Sequence, residues 1–350
     1  MTNLHNTLLF QEIHEQPSVI GRILTTQRPH IAQLAAAIQA QQIDHVVIAA
    51  RGTSDNAARY AQYVLGAING MQVALATPSL FSLYDRPIQF GNALVLGISQ
   101  SGQSPDIVSV LRAAKAQGRL TAAITNSPDS PLATVADHVI DLAAGLEQSV
   151  AATKTYTGSL TAIALLSALL AGDEVLSAEL DQLPNALTQM LTLNDSLATL
   201  APRYRYMQHC VVIGRGFNYA TAFEMALKMK ELSYSIVEPY SSADFLHGPF
   251  AILNEGFPVI VIAPSGKLCA EMAQFVQQVG ARSAETIVIS DSEALLRHAT
   301  IPIKLPASLP EWLSPISTIL VGQLLAMHLA ATRGYNIDQP RAIHKVTETT

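Results

Sequence analysis

Two short runs of hydroxyl-bearing residues are the first sign of chemistry in this chain. Gly52-Thr53-Ser54 and Ser99-Gln100-Ser101-Gly102-Gln103-Ser104 each follow an apolar run of strand length and precede a helical pattern. Backbone N–H groups, the positive end of a helix and several hydroxyls would converge there, which suits an anion such as a phosphate. Ser and Thr are also ordinary helix caps, but two such loops at adjacent strand ends favour the anion. A second group is Glu224, Lys228 and Glu231, which share one face of a predicted helix, with Ala222, Met225, Met229 and Leu232 on an apolar face. A carboxylate, an amine and a second carboxylate so aligned could move protons. The same spacing suits a solvated ion-pair face, and spacing alone leaves both readings open. His247, within Phe245-Leu246-His247-Gly248-Pro249, is a further acid/base candidate, with a structural hydrogen bond as its plain alternative.

The elements that must position these groups are written twice. The run from His45 to Gly52 returns from His209 to Gly216, and the apolar run that ends in Ser101-Gly102 returns ending in Ser265-Gly266, so both glycine landmarks recur at an offset of 164. Two landmarks with one offset indicate duplication, and the repeat length suits two similar domains. Strands are expected at 46–50, 93–98, 121–124 and 139–142, and again at 210–213, 258–263, 286–289 and 300–305. Their alternation with longer helical patterns is the mark of parallel strand-helix-strand units, whose ligands sit at the carboxyl ends of the strands. The expected fold is therefore α/β, as two tandem domains, each a mostly parallel, doubly wound, flavodoxin-like sheet flanked by helices. Residues 1–40 read as a helical lead-in broken at Gln16-Pro17, 41–183 as the first domain, 184–200 as a linker helix, 201–334 as the second domain and 335–350 as a tail. A helix over 315–332, apolar nearly all round, should be buried between domains or subunits. The second-copy counterpart of the hydroxyl loop, Ala263-Pro264-Ser265, lacks the density of hydroxyls.

Composition narrows the function classes. A net charge of −6 with no basic block argues against nucleic acid, and the apolar segments are interrupted before they reach membrane-spanning length. With 49% hydrophobic and only 14% charged residues, some surface is expected to pair with another chain, as in a homodimer. Cys210 and Cys269 form no pair motif and read as small core residues. No signal peptide is apparent at the start, which makes the cytoplasm the expected compartment.

The residues resemble a family. Gly214-Arg215-Gly216, the helix with Glu224, Lys228 and Glu231, Leu246-His247-Gly248-Pro249, Ser99-Gln100-Ser101-Gly102 and Ala152-Thr153-Lys154 together look like the isomerase half of glucosamine-6-phosphate synthase, a double sugar isomerase (SIS) domain. The resemblance covers essentially the whole chain. It implies that Thr53, Ser54, Ser99, Gln100, Ser101 and Ser104 hold a sugar phosphate, that Glu231 moves a proton between C1 and C2, and that His247 assists ring opening, donated across a dimer interface. It further implies that Lys228 and the tail Lys345 contact the reacting end of the sugar, that Glu224 belongs to the acid/base group, and that Thr153 touches the sugar. The synthase carries an N-terminal glutaminase domain with a cysteine nucleophile, whereas this sequence begins Met1-Thr2 and passes directly into the lead-in. The resemblance therefore points to the deaminases of the same type, which would convert glucosamine 6-phosphate to fructose 6-phosphate and ammonia with no metal or redox cofactor. A deglycase of phosphorylated fructosamines, an ammonia-dependent aldose–ketose isomerase and a non-catalytic phosphosugar sensor would share the anchor.

Overall fold

The computed structural model describes residues 4–345. Its strands are short runs of Val, Ile, Leu and Ala buried on both faces, which a sheet covered by helices on both sides requires. In the first sheet β1 (His45–Ala49), β2 (Gln72–Leu75), β3 (Ala93–Ile98), β4 (Leu120–Thr125) and β5 (His138–Asp141) lie in the order β2-β1-β3-β4-β5. In the second, β6 (His209–Gly214), β7 (Ile236–Ser241), β8 (Pro258–Ile262), β9 (Glu285–Ser290) and β10 (Ile301–Lys304) lie in the order β10-β9-β8-β6-β7, the same order read from the other edge. Every pairing is parallel. This is the expected α/β architecture of two doubly wound sheets.

The helices that bear on function are α1 (Leu8–Thr26), α2 (Arg28–Ala40), α3 (Thr53–Asn69), α4 (Pro105–Ala116), α5 (Lys154–Ala171), α6 (Leu183–Leu191), α7 (Asn194–Leu200), α8 (Tyr219–Ser233), α9 (Ser242–Leu246), α10 (Cys269–Gly280) and α11 (Ser314–Thr332). The chain divides into two compact units. One holds the first sheet, from Glu15–Gln148 with Ala152–Asp181 and the tail from His344; the other holds the second sheet, from the residues up to His14, Ser149–Ala151 and Gln182–Ile343. In the first unit α5, buried from Lys154 to Ala168, packs on α2 and α3. In the second, α8 and α11 pack side by side and α11 also meets α6 and α7.

Several expectations need correction. Each sheet has five strands, not four: β2 and β7 are edge strands, β2 half exposed and β7 carrying Glu238 and Pro239, which an edge tolerates because one side of the ladder needs no donor. Pro17 does not break the lead-in, since α1 runs through it with buried Ile13, Val19, Ile20 and Ile23 on either side. The boundary falls at Gln27, and Pro29 sits in the first turn of α2, where its missing N–H costs nothing. α11 is buried, 89% of its apolar window being covered, and it packs on α6, α7 and α8 of its own unit.

Candidate functional site

In the first sheet the strand order reverses between β1 and β3, and in open parallel sheets such a switch point is where ligands bind, at the carboxyl ends of the strands. The loops at this point are the two hydroxyl runs. After β1, Gly52 adopts φ +54 and α3 begins at Thr53. After β3, Ser99 to Gln103 form a tight turn before α4. Ser99 Oγ accepts the Gly102 N–H (3.1 Å) and Ser101 Oγ accepts the Gln103 N–H (3.3 Å). Gly102 has φ +63, and a Cβ there would lie 2.0 Å from Ser130 Oγ, so only glycine fits. Ser104, which precedes α4, makes no side-chain cap bond, and the residue before α3 is Gly52, which has no side chain to cap with. Thr53, Ser54, Gln100, Ser101 and Ser104 are partly exposed, whereas Ser99 is buried.

An ion pair that the sequence did not flag ties the two loops together. Arg51, half exposed, donates from Nε to Asp106 Oδ2 at 2.9 Å, and Asp106 is wholly buried in the first turn of α4.

A second polar knot in the same unit surrounds Glu147, which also escaped sequence reading. Its Oε1 accepts the N–H groups of Thr153 (2.9 Å) and Thr155 (3.1 Å), and its Oε2 accepts the Thr155 hydroxyl (2.8 Å) and Lys345 Nζ (2.7 Å). Burial pushes the Glu147 carboxyl up, but the charge and hydrogen bond of Lys345 and the two N–H donors outweigh it and hold the group below its ordinary value of 4.5. Thr153, fully buried, has a hydroxyl with no hydrogen-bond partner among the described residues, an arrangement that costs stability unless something else uses it. The available signal was charge sparsity: from Leu142 to Gly172 the only charged residues are Glu147 and Lys154.

The corresponding loop of the second copy is bonded differently. Ser265 N–H donates to Asp291 (2.6 Å) and Lys267 N–H to Glu311 (2.8 Å). A Cβ on Gly266 would lie 2.4 Å from the Glu311 carboxyl carbon. The protein's own carboxylates therefore take the backbone donors of this loop.

In the second unit, α8 carries the Glu-Lys-Glu stripe. Lys228 Nζ lies 3.4 Å from Glu224 and 2.6 Å from Glu231 Oε2. The solvated-face reading is overturned: Lys228 is 1% exposed and Glu224 0%, while Glu231 keeps 23% of its side chain accessible. Charges are buried in this way only when paired. The start of α8 is fixed by Asn218, whose Nδ2 donates to Ser314 Oγ (2.8 Å) and whose Oδ1 accepts from Thr221 and Thr318 (3.0 Å each). His247 directly follows α9, is exposed, and donates its backbone N–H to Asp244 O at 3.1 Å. The phosphate-type residues, Thr153 and Lys345 thus lie in the first unit, and Glu224, Lys228, Glu231 and His247 in the second.

The sequence profile of the SIS domain matches residues 40–169 and 205–333. An isomerizing glutamine–fructose-6-phosphate aminotransferase of Pyrococcus horikoshii is 34% identical over 345 residues, a match that takes in 96% of this chain but 57% of that protein. The chain thus spans a little over half the length of that relative. Among solved structures, the C-terminal domain of glucosamine-fructose-6-phosphate aminotransferase from Francisella tularensis matches with a TM-score of 0.85 at 26% identity, covering 97% of this chain and 100% of that one. A candidate phosphosugar isomerase from Silicibacter pomeroyi has a TM-score of 0.85 at 35% identity, covering 95% and 99%.

Proposed function

This chain belongs to the SIS domain family, and on that premise we propose that it is a sugar-phosphate isomerase that releases ammonia from glucosamine 6-phosphate. The observation that carries the reading is the buried carboxylate–ammonium–carboxylate stripe of α8 with one partly accessible member, Glu231. A phosphosugar sensor has no need of such a stripe, and burying charge without using it is costly.

In this reading Thr53, Ser54, Ser99, Gln100, Ser101 and Ser104 hold the phosphate, so that binding energy remote from the reacting carbons positions them. His247, exposed after α9, opens the sugar ring from a second copy of the chain in a homodimer. Glu231 removes the C2 proton of the open-chain aldehyde and returns it to C1. The C1 aldehyde becomes a primary alcohol while the C2 amine becomes an imine, so no external oxidant or reductant enters. Water then adds to the imine and ammonia leaves, giving fructose 6-phosphate. Lys228 keeps the charge on Glu231 paired, Glu224 completes that pairing, and Lys345, held by Glu147, contacts the reacting end.

The test is to incubate the purified chain with glucosamine 6-phosphate and measure ammonia and fructose 6-phosphate in the same sample. Equal amounts of both products, absent with the unphosphorylated sugar, support the reading. Phosphate-dependent binding without either product would refute it.

A further inference from the structure

α8 ends on Tyr234, in the left-handed conformation with φ +57 and ψ 24. Helices commonly end on such a residue, but the usual choice is glycine, because a side chain is strained there. A tyrosine at this position suggests that its side chain is used, and its contacts show where. The Tyr234 hydroxyl accepts the backbone N–H of Arg341 at 2.9 Å, and the Arg341 guanidinium carbon lies 4.1 Å from the centre of the Tyr234 ring. Tyr335 packs its ring 4.7 Å from the same centre. Arg341 is itself exposed. One residue later the strap bends at Ala342, again with positive φ (+61), and four residues after Arg341 comes Lys345 with its bond to Glu147.

We infer that Tyr234 and Arg341 form a latch that fixes the C-terminal strap to the end of the helix carrying Glu231, with Tyr234 acting as a positioning residue for Lys345. This rests on the reading of Lys345 as a residue at the reacting end of the sugar. The latch grips the strap twice through one side chain, by the hydroxyl on its backbone and by the ring on its guanidinium. The strap therefore cannot slide without losing both contacts. Ala342 turns the chain between the latch and the lysine, so a shift at Arg341 is passed to Lys345.

Two substitutions separate this role from folding. Tyr234→Gly supplies the residue that the left-handed turn prefers, so α8 still ends correctly while the latch is gone, and Arg341→Ala removes the ring partner from the other side. Lys345 is probed in each full-length variant by acetylation with an N-hydroxysuccinimide ester and peptide mass spectrometry, which needs no activity. The expected result is labelling of Lys345 faster by about tenfold in Tyr234→Gly, the scale of one cation–π contact with one hydrogen bond, and by about threefold in Arg341→Ala, which keeps the backbone N–H bonded to the Tyr234 hydroxyl. A similar fall in kcat for glucosamine 6-phosphate is expected with KM changed by less than about twofold, partial recovery in Arg341→Lys, and a double variant no worse than Tyr234→Gly, which already removes both contacts. Unchanged labelling in Tyr234→Gly would overturn the latch, and so would effects that multiply in the double variant. If the unmodified chain fails to turn over glucosamine 6-phosphate, the functional reading fails, and the labelling still decides the latch.

Discussion

Replacing Glu147 by Gln isolates the bond between the buried carboxylate and the tail lysine. The carboxylate accepts two backbone N–H groups on Oε1 and a hydroxyl and an ammonium on Oε2. The glutamine carbonyl can keep both backbone donors, and the Thr155 hydroxyl can rotate to accept from the new amide. Lys345 alone is left facing a donor. The loss is therefore one charge-assisted hydrogen bond, about 1.5–3 kcal/mol when buried, reduced to about 1–2 kcal/mol because Lys345 keeps 21% of its side chain exposed. Glu147→Ala leaves all four donors without their acceptor and should cost about 3–5 kcal/mol. Both values are read from urea unfolding at pH 7. Their pH dependence carries a sign. Because the folded carboxyl lies below its ordinary value of 4.5, its charged form stabilises the fold above about pH 4.5, and that contribution is lost as pH falls through the folded value. The gap between the unmodified chain and Glu147→Gln should close on acidification. A gap that stays constant from pH 7 to 3, or an alanine variant no worse than glutamine, would refute the reasoning.

Three further outcomes are expected. Gly102→Ala forces a positive φ on a residue with a Cβ and sets it against Ser130, so glucosamine 6-phosphate affinity by calorimetry should fall at least about tenfold, with a lower Tm. Glu311→Ala strips the carboxylate from the second-copy loop and should lower stability by about 1–2 kcal/mol while KM stays unchanged; a raised KM would move the phosphate to the wrong copy. Arg51→Ala breaks the tie between the two loops and leaves Asp106 buried without that partner, so, with Arg51 half exposed, unfolding should ease by about 1–3 kcal/mol and phosphosugar binding weaken together, as urea titration with and without ligand would report.

The parts of the fold legible in the sequence were those dictated by burial on two faces. The interior strands β1, β3, β4, β6, β8 and β9 are continuous apolar runs, and the duplication offset aligned their loops. β2 and β7 were missed because these two edge strands carry half-exposed or interrupting residues such as Gln72, Glu238 and Pro239, whereas the other two edges, β5 and β10, kept enough of the apolar pattern to be read. The hydroxyl loops were legible because hydroxyls cluster at strand ends. The burial of the Glu-Lys-Glu stripe was not, since α8 is covered by α11, a helix roughly ninety residues further along, and spacing within a helix does not reveal its cover. Glu147 and Arg51 were missed for the same reason: their partners Lys345 and Asp106 are distant in sequence, and a lone charge announces no partner.

The central claim is that Glu231 carries one proton from C2 to C1 of a phosphate-anchored sugar. Its most direct measurement follows glucosamine 6-phosphate deuterated at C2 by NMR and mass spectrometry, with the unmodified chain and with Glu231→Gln. The account predicts fructose 6-phosphate carrying part of the deuterium at C1 from the unmodified chain, and no product from a Glu231→Gln protein that still binds the sugar. Product formed at an undiminished rate by Glu231→Gln would contradict it.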